Sequence, residues 1–523
     1  MRKNTYSICV ASASIGIMGL CGCSTTLSKQ NDEVKKPNII YILADDLGYG
    51  ELGCYGQKHI ETPHIDQLAK NGVLFTQHYS GAPVCAPSRC MLMTGKHPGH
   101  AQIRGNDEWG ERGDVWNYRA QAADSTLEGQ RPLAADTKTL GRIMKQAGYT
   151  TGVVGKWGLG APHTHSTPTK MGFDFFVGYN CQRQAHTYYP LHLYKNGARL
   201  YLDNDTVAPG TKLDKGADPY DLSSYDKYNL NTYSGTIMFD ELTGFINDNN
   251  PKETGQPFFM YWATPIPHAP LQAPQKWVDY YVNKFGDEDP YTGKKGYFPH
   301  RYPHAAYAAM VTYMDEQVGQ LVEQLKALGI YDNTLIIFTS DNGPTYNGGT
   351  DSPWFNSGGP FNSEYGWGKG FTHEGGVRVP MVASWPGHIQ PGSQSSHISA
   401  FWDVMPTLCE IAGIDAPDDT DGISFVNALT GKEQKEHEYL YWEYPEYGGQ
   451  QAIRMGKWKG IRKNIKKGNM KLELYDLDVD IQEQRDVASQ FPEIIKQMEA
   501  IMVKEHKPAV LDRFKMEALG DQI

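Results

Sequence analysis

The sequence predicts an α/β protein: a large doubly wound mixed sheet flanked by helices, followed by a small C-terminal antiparallel α+β domain. Three observations predict it. Four runs, PNIIYILADD (37–46), Tyr149 to Gly158, PFFMYWA (257–263) and TLIIFTSDNG (334–343), are apolar and rich in β-branched or aromatic residues, as strands buried on both faces are. Helical stretches separate them, which suits a doubly wound sheet better than a barrel. From about residue 436 the pattern changes to short strands between glycine-containing turns.

The elements follow in order. At 523 residues the chain is long enough for one large domain and a smaller one. Lys36-Pro37 closes a polar tether, and the first strand stops at Asp45-Asp46. Residues 61–75 give a short amphipathic helix around Ile65, Leu68 and Ala69, with Asn71-Gly72 as its stop. A second helix over 137–146 ends before Gly148, and further helices are expected near 234–248 and 307–328. Residues 344–376, glycine-rich and aromatic, are too long for a mere connection and read as an ordered functional loop. VRVPMVASW (377–385) resumes the sheet, and a helix follows near 401–413. Then come the short strands EYLYWEY, QAIRMGKWKGI and KLELYDL, with turns at Gly448-Gly449 and 464–468, and an amphipathic helix over 490–506. The expected divisions are 1–22 as an export signal, 23–36 as tether, 37–435 as the large domain and 436–523 as the small one.

The formal net charge of -11 argues against a nucleic-acid partner, which needs a basic face. An anionic substrate still fits if one pocket is locally positive. At the start, Arg2 and Lys3 precede an apolar stretch too short to span a bilayer. Leu20-Cys21-Gly22-Cys23 is similar to a bacterial lipoprotein box, which implies a lipid anchor at Cys23 and a place in the cell envelope, periplasmic or on the outer membrane; plain secretion is the alternative. Of eight cysteines, removal of the signal region leaves Cys54, Cys85, Cys90, Cys181 and Cys409. An odd number cannot all pair within the chain, so at least one is free, altered or joined to another molecule.

Asp45-Asp46 and Asp341-Asn342 both end strands and offer only oxygen donors, a set suited to calcium or magnesium; strand-end turn residues are the plain alternative. In a regular strand Asp45 and Asp46 would face opposite ways, so only a break lets them converge. The decisive stretch is CAPSRCMLMTG (85–95): Cys85, Pro87, Ser88, Arg89, Leu92, Thr94 and Gly95 resemble the sulfatase signature C-x-P-S-R-x-x-L-x-T-G. PNIIYILADDLGYGELGCYG, GYTTGVVGKWGLG, PIPHAPLQAP, SDNGP, GKGFTHEGGVRVP, KWKGI and ELYDL also resemble segments of that family, in order along nearly the whole mature chain.

The resemblance implies an alkaline-phosphatase-like fold and a formylglycine made from Cys85 by a maturation enzyme. Asp45, Asp46, Asp341, Asn342 and the altered Cys85 would hold one divalent ion, calcium before magnesium. Arg89 and Lys156 would hold the formylglycine hydroxyls, and His268 and Lys369 would be the sulfate-facing acid and clamp. A hydrated aldehyde attacks sulfur with one hydroxyl, and loss of the other hydroxyl's proton expels sulfate and restores the aldehyde. Cys90 falls at a variable position. The implied substrate is a sulfated mono- or oligosaccharide, with galactose or N-acetylgalactosamine sulfates (O4 or O6) favoured; a phosphate ester hydrolase of the same superfamily or an inactive glycan-binding lipoprotein are the alternatives.

One departure stands out. Where many members read GKWHLG, this chain has Gly158. His163, His165, His186 and His373 are candidates to replace the missing histidine, and His186, in CQRQAHTYYP, is preferred. Trp109, Tyr346, Trp354 and Trp367 are candidate sugar platforms, and Glu108, Arg183, Asn347 and Asp351 candidate partners for hydroxyls.

Overall fold

The computed structural model describes residues 7–9, 11 and 36–522. The expected lipidation site at Cys23 and the expected tether up to Lys35 lie outside the described residues. Strands β1 (Asn38–Ala44), β2 (Val73–Tyr79), β3 (Thr150–Lys156), β4 (Phe175–Tyr179), β5 (His192–Lys195), β6 (Ala198–Tyr201), β7 (Phe258–Ala263), β8 (Thr334–Ser340), β9 (Arg378–Ser384), β10 (Ser393–Ser395) and β11 (Ser399–Ala400) build one mixed sheet. Their order is β10-β2-β9-β8-β1-β7-β3-β4-β5-β6, with β11 also on β2. The four strands β8, β1, β7 and β3 at its centre run parallel.

β1 shows why these strands read as continuous apolar runs. Ile40, Ile42 and Ala44 enter one core, packed with the helices Ser234–Asp248 and Pro303–Ala327 and with α1 (Pro63–Lys70). Ile39, Tyr41 and Leu43 enter the opposite core, packed with α2 (Cys85–Thr94) and the helices Leu140–Gln146 and Val404–Ala412. Each face of the sheet is covered, so successive side chains are buried alternately on both.

The structure bears out the fold class and shortens some elements. The helix expected over 61–75 ends at Lys70, and Val73 to Phe75 open β2 instead. The run 451–461, read as one strand, turns at Gly456 into two antiparallel ones. The second sheet is thus β12 (Leu440–Tyr444), β13 (Gln450–Met455), β14 (Trp458–Lys463) and β15 (Leu472–Asp476), antiparallel in sequence order. One face packs Leu440, Trp442 and Ile461 against Tyr79, Val377 and Trp402 of the larger part. The other takes Met498 and Met502 of the helix Pro492–Glu505.

The two sheets also share a buried charge cluster. Glu374 lies 2.7 Å from Lys459 on β14 and 3.1 Å from Arg378, with Arg454 on β13 at 3.6 Å. Burial opposes its charge, but the three cations, Lys459 foremost, hold it well below the ordinary carboxylate range. Glu374→Gln removes the carboxylate that the three cations share, leaving the neighbouring buried Glu483 as the remaining acid of the cluster, and is expected to cost about 3–5 kcal/mol, read as a lowered urea midpoint.

Candidate active site

The parallel centre of the sheet delivers most of the site at one edge. Asp45-Asp46 follow β1, Asp341-Asn342 follow β8, Lys156 ends β3, and His268 lies just beyond β7. Because these strands are neighbours and point the same way, their carboxyl ends converge, as ligand-binding crevices of open α/β sheets do. The chain breaks as the sequence requires: β1 stops at Ala44 and Asp46 takes φ 64°, a left-handed turn that aspartate tolerates. Both carboxylates then reach the same space. The Asp46 N–H donates to Asp341 Oδ1 at 3.1 Å, tying the two strand ends together.

Cys85 arrives on α2, which follows β2. β2 is antiparallel to β9 and β9 to β8, so β2 ends at the same edge. Each signature residue has a local task. Pro87 sits in the first helical turn, where its missing N–H is harmless. Ser88 Oγ accepts from the Gly81 N–H at 3.2 Å, Leu92 is in the core, and Thr94 Oγ1 donates to the Cys90 carbonyl at 2.7 Å. Gly95, with φ 65°, ends the helix in the left-handed conformation that glycine adopts freely. Cys90 is wholly buried in the core.

Around Cys85 the charges interlock. Its thiol donates to Asp45 Oδ1 at 3.3 Å and lies 4.0 Å from Asp46 Oδ1. Lys369 Nζ is 3.7 Å from Sγ and 2.6 Å from the Asp46 carboxylate. Lys156 Nζ donates to Asp45 Oδ2 at 2.7 Å. Arg89, with no exposed surface, donates from Nε and Nη2 to Asp341 Oδ2, approaches Asp45 at 3.2 Å, and donates from Nη1 to the Lys156 carbonyl at 2.8 Å. His268 Nδ1 pairs with the Ala269 carbonyl at 2.6 Å, leaving Nε2 3.6 Å from Asp46 Oδ2.

Burial and then the Asp45 carboxylate push the Cys85 thiol well above its usual range, so as an unaltered cysteine it is a poor nucleophile near neutrality. Burial works against Asp45 too, but Lys156, His268, Arg89 and Lys369 together hold it well below the ordinary carboxylate range. For Asp341 burial and the neighbouring Asp45 win, and its carboxyl is pushed up to about 7. Asn342 Nδ2 donates to Asp46 Oδ1 at 2.8 Å, while the buried Asn342 Oδ1 has no hydrogen-bond partner among the described residues. An orphaned acceptor among carboxylates is what a cation would satisfy. Asp45, Asp46, Cys85 and His268 place one ligand atom each within 4.8 Å of one another, a grouping able to take a divalent metal ion.

Comparison with known proteins accounts for this arrangement. A sulfatase family model matches residues 37–414, and the C-terminal model of N-sulphoglucosamine sulphohydrolase matches residues 363–508. The chain belongs to the sulfatase family. It is 30% identical over 542 aligned residues to an N-acetylgalactosamine-6-O-sulfatase of Bacteroides thetaiotaomicron, covering 93% of this chain and 96% of that one. It is 32% identical to human N-acetylgalactosamine-6-sulfatase over 406 residues, 75% of this chain and 66% of the human one. The crystal structure of Ps i-CgsB in complex with k-i-k-neocarrahexaose superposes with a TM-score of 0.70 at 29% identity, covering 90% of this chain and 94% of that one. This sulfatase is therefore a hydrolase of the formylglycine-dependent, alkaline-phosphatase-like kind, related to bacterial glycan sulfatases.

Within the sulfatase site, Gly158 has φ 73°, and a Cβ there would lie 3.0 Å from the side chain of Gln182. Gln182 Nε2 donates to Asn106 Oδ1 at 3.3 Å, and that oxygen also accepts the Ala86 N–H at 3.3 Å, next to Cys85. Neither Gln182 nor Asn106 carries a sequence signal of its own; the departure at Gly158 is what directs attention to the side chain beside it. His186 stacks on His268 with ring centroids 5.2 Å apart, and Tyr297, unmarked in the sequence, packs edge-on to both at 5.3 and 5.6 Å.

The other candidate bases lie elsewhere. His163 bonds Ser125, His165 bonds the Leu133 carbonyl, and His373 is buried against Trp367. Among the candidate sugar contacts, Trp109 is covered by Arg112, Trp354 is stacked between His59 and His304, Glu108 is buried on Gln130, and Arg183 bonds the Trp116 carbonyl. Tyr346 and Asp351 line an open cavity. A second group of metal-capable side chains, His97, His100 and Glu505, is a hydrogen-bonded knot. His97 Nδ1 accepts the Gly99 N–H at 3.1 Å, so Nε2 carries the ring proton and donates to Glu505 at 3.0 Å. Among the described residues no cysteine is in a disulfide, and no helix is long and apolar enough to cross a membrane.

Proposed function

We propose that this sulfatase releases sulfate from a galactose or N-acetylgalactosamine sulfate, at O6, with Cys85 converted to formylglycine as its attacking group. The observation that carries the reading is Cys85 at the first turn of α2, in contact with Asp45, Asp46 and Lys369. A helix start favours negative charge, and the thiol position is where the hydroxyls of an oxidised residue would lie. Support for the sugar comes from the near full-length relative, an N-acetylgalactosamine-6-O-sulfatase, and for carbohydrate more broadly from the neighbour holding k-i-k-neocarrahexaose.

The chain's own residues take the following parts. Three carboxyl groups, Asp45, Asp46 and Asp341, face three cations, Arg89, Lys156 and Lys369, so much of the charge of the resting cluster is offset. Asp45, Asp46, Asp341, Asn342 and residue 85 would hold one divalent cation, calcium better than magnesium for an irregular oxygen set. Bound there, that ion supplies positive charge that lowers the pKa of the attacking hydroxyl. Arg89 anchors Asp341 and the Lys156 carbonyl, fixing strand ends and helix in one frame. Lys156 and Lys369 stabilise charge on the sulfate oxygens as sulfur passes through its in-line transition state.

His268 is placed to protonate the departing sugar oxygen. Its Nδ1–H is committed to the Ala269 carbonyl, so Nε2 is the atom that gains and gives the proton. Burial pushes its pKa down to about 4, and the negative charge of a sulfate ester beside it works the other way. His186, stacked on His268, is proposed to contact the sugar or aid turnover from that side. A maturation enzyme that oxidises Cys85 is the implied protein partner, and the box ending at Cys23 supports a lipid-anchored enzyme of the bacterial envelope.

Enzyme matured in the presence of a formylglycine-generating partner should be given the 4- and 6-sulfates of galactose, N-acetylgalactosamine and N-acetylglucosamine, and nitrophenyl phosphate. The galacto-configured 6-sulfates are expected to lead by at least about tenfold in kcat/KM, the discrimination that polar contacts to hydroxyls supply. Preference for a glucosamine sulfate or for the phosphate ester would overturn the reading.

A further inference from the structure

A cavity of about 610 Å³ opens beside the catalytic pocket, lined in part by Tyr291, Lys294, Lys295, Tyr346, Asp351 and Tyr365. It does not contain Cys85, yet three physical links join it to the site. The first is the hairpin 291–300, closed by the Tyr291 and His300 backbone pair at 2.9 Å. It places Tyr297 against His268 and, two and three residues earlier, the exposed Lys295 and Lys294 on the cavity. The second is the loop after β8, held to this hairpin by the Gly348 N–H donating to the Lys295 carbonyl at 3.3 Å. The third is Phe371, two residues beyond Lys369, which packs edge-on to Tyr365 at 5.4 Å.

The lining combines aromatic rings with charged side chains of both signs, Lys294 and Lys295 beside Asp289, Asp351 and Glu364. Tyr365 is 68% exposed, and its ring meets Tyr346 at 5.0 Å and 90°. The two rings therefore form a fixed corner with C–H-accepting faces and phenol oxygens. Lys294 and Lys295 add ammonium donors at the rim. Asp351 is already held, accepting from Trp354 N–H and lying 3.1 Å from His304 Nε2, so the wall under the aromatic corner is rigid. The volume is in the range of ligand pockets.

We infer that this cavity is a subsite for the sugar units joined to the sulfated one, which makes the enzyme's preferred substrate a sulfated oligosaccharide rather than a free monosaccharide sulfate. The inference rests on the carbohydrate reading proposed above. Tyr365 supplies the stacking platform, Tyr346 its second wall, and the hairpin lysines bind hydroxyl or acidic oxygens of the neighbouring unit.

The test compares kcat/KM for a monosaccharide sulfate and for a tetrasaccharide bearing the same ester, in wild type, Tyr365→Ala and the double variant Lys294→Ala/Lys295→Ala. Wild type is expected to favour the tetrasaccharide by about tenfold or more. Tyr365→Ala should remove roughly tenfold from the tetrasaccharide value, chiefly through KM, and leave the monosaccharide within about twofold. The lysine variant should act in the same direction and to a smaller degree. Equal kcat/KM for the two substrates in wild type, or equal losses on both in Tyr365→Ala, would overturn the subsite. Wild type that turns over neither ester would instead overturn the carbohydrate reading beneath it.

Discussion

Cys85→Ala is expected to lower kcat by roughly 10⁴-fold or more while leaving the fold intact. The magnitude follows from what the side chain is asked to do. In the proposed mechanism Lys156 and Lys369 stabilise charge on a bound sulfate and Arg89 holds their frame, but none of them breaks a bond by itself, so removal of the attacker leaves only their residual effect over water. Alanine at the start of α2 keeps a helix-compatible residue and removes one buried polar atom. Near-UV circular dichroism and thermal unfolding should therefore follow the wild type. A serine there, if left unoxidised, retains one hydroxyl but lacks the second that expels sulfate, and is expected to show at most a single slow turnover, visible as a stoichiometric release of the sugar alcohol. Steady-state rates and single-turnover release of alcohol and of sulfate, measured separately, check both outcomes.

His268→Ala is expected to lower kcat on sugar sulfates by about 10²–10⁴-fold, with a much smaller loss on 4-nitrophenyl sulfate. The contrast is the informative part. A sugar alkoxide leaves poorly unless protonated, whereas nitrophenolate is a stable anion that needs no acid. If His268 Nε2 supplies the proton, the penalty should scale with the basicity of the leaving oxygen. Equal losses on both substrates would assign the residue to binding or to holding Asp46, which lies 3.6 Å away. Since His186 stacks on the same ring, His186→Ala is the natural control for loss of packing alone.

Much of this site was legible in the sequence because it is built on buried parallel strands. Such strands leave apolar runs, and their polar termini, Asp45-Asp46, Lys156 and Asp341-Asn342, stand out against them. The predicted break that lets Asp45 and Asp46 converge is the left-handed turn at Asp46. The rest was hidden for identifiable reasons. α2 is buried all round, from Cys85 to Thr94, so no amphipathic period marks it as a helix. Strands β5 and β6, at one end of the sheet, are four residues each, too short for an alternation to register. Tyr297 and Gln182 reach the site from loops whose course depends on tertiary packing, and nothing in KKGYFPH or CQRQ fixes where a single side chain ends up. Its loop alone marks His186 as a candidate, and the structure brings it to His268 rather than to Cys85. Residue type makes Trp354 and Trp109 candidate platforms, but each is occupied by neighbouring side chains, a matter of contacts that composition does not encode.

The central claim is chemical: a buried thiol that carboxylates keep protonated is exchanged for an aldehyde whose hydrate attacks sulfur and is then regenerated. Mass spectrometry of the peptide spanning residue 85, on enzyme of known turnover, tests it most directly. The account predicts a peptide about 18 Da lighter than the cysteine form, in a fraction that matches specific activity from preparation to preparation. Full activity in material whose residue 85 carries an unmodified thiol would contradict it.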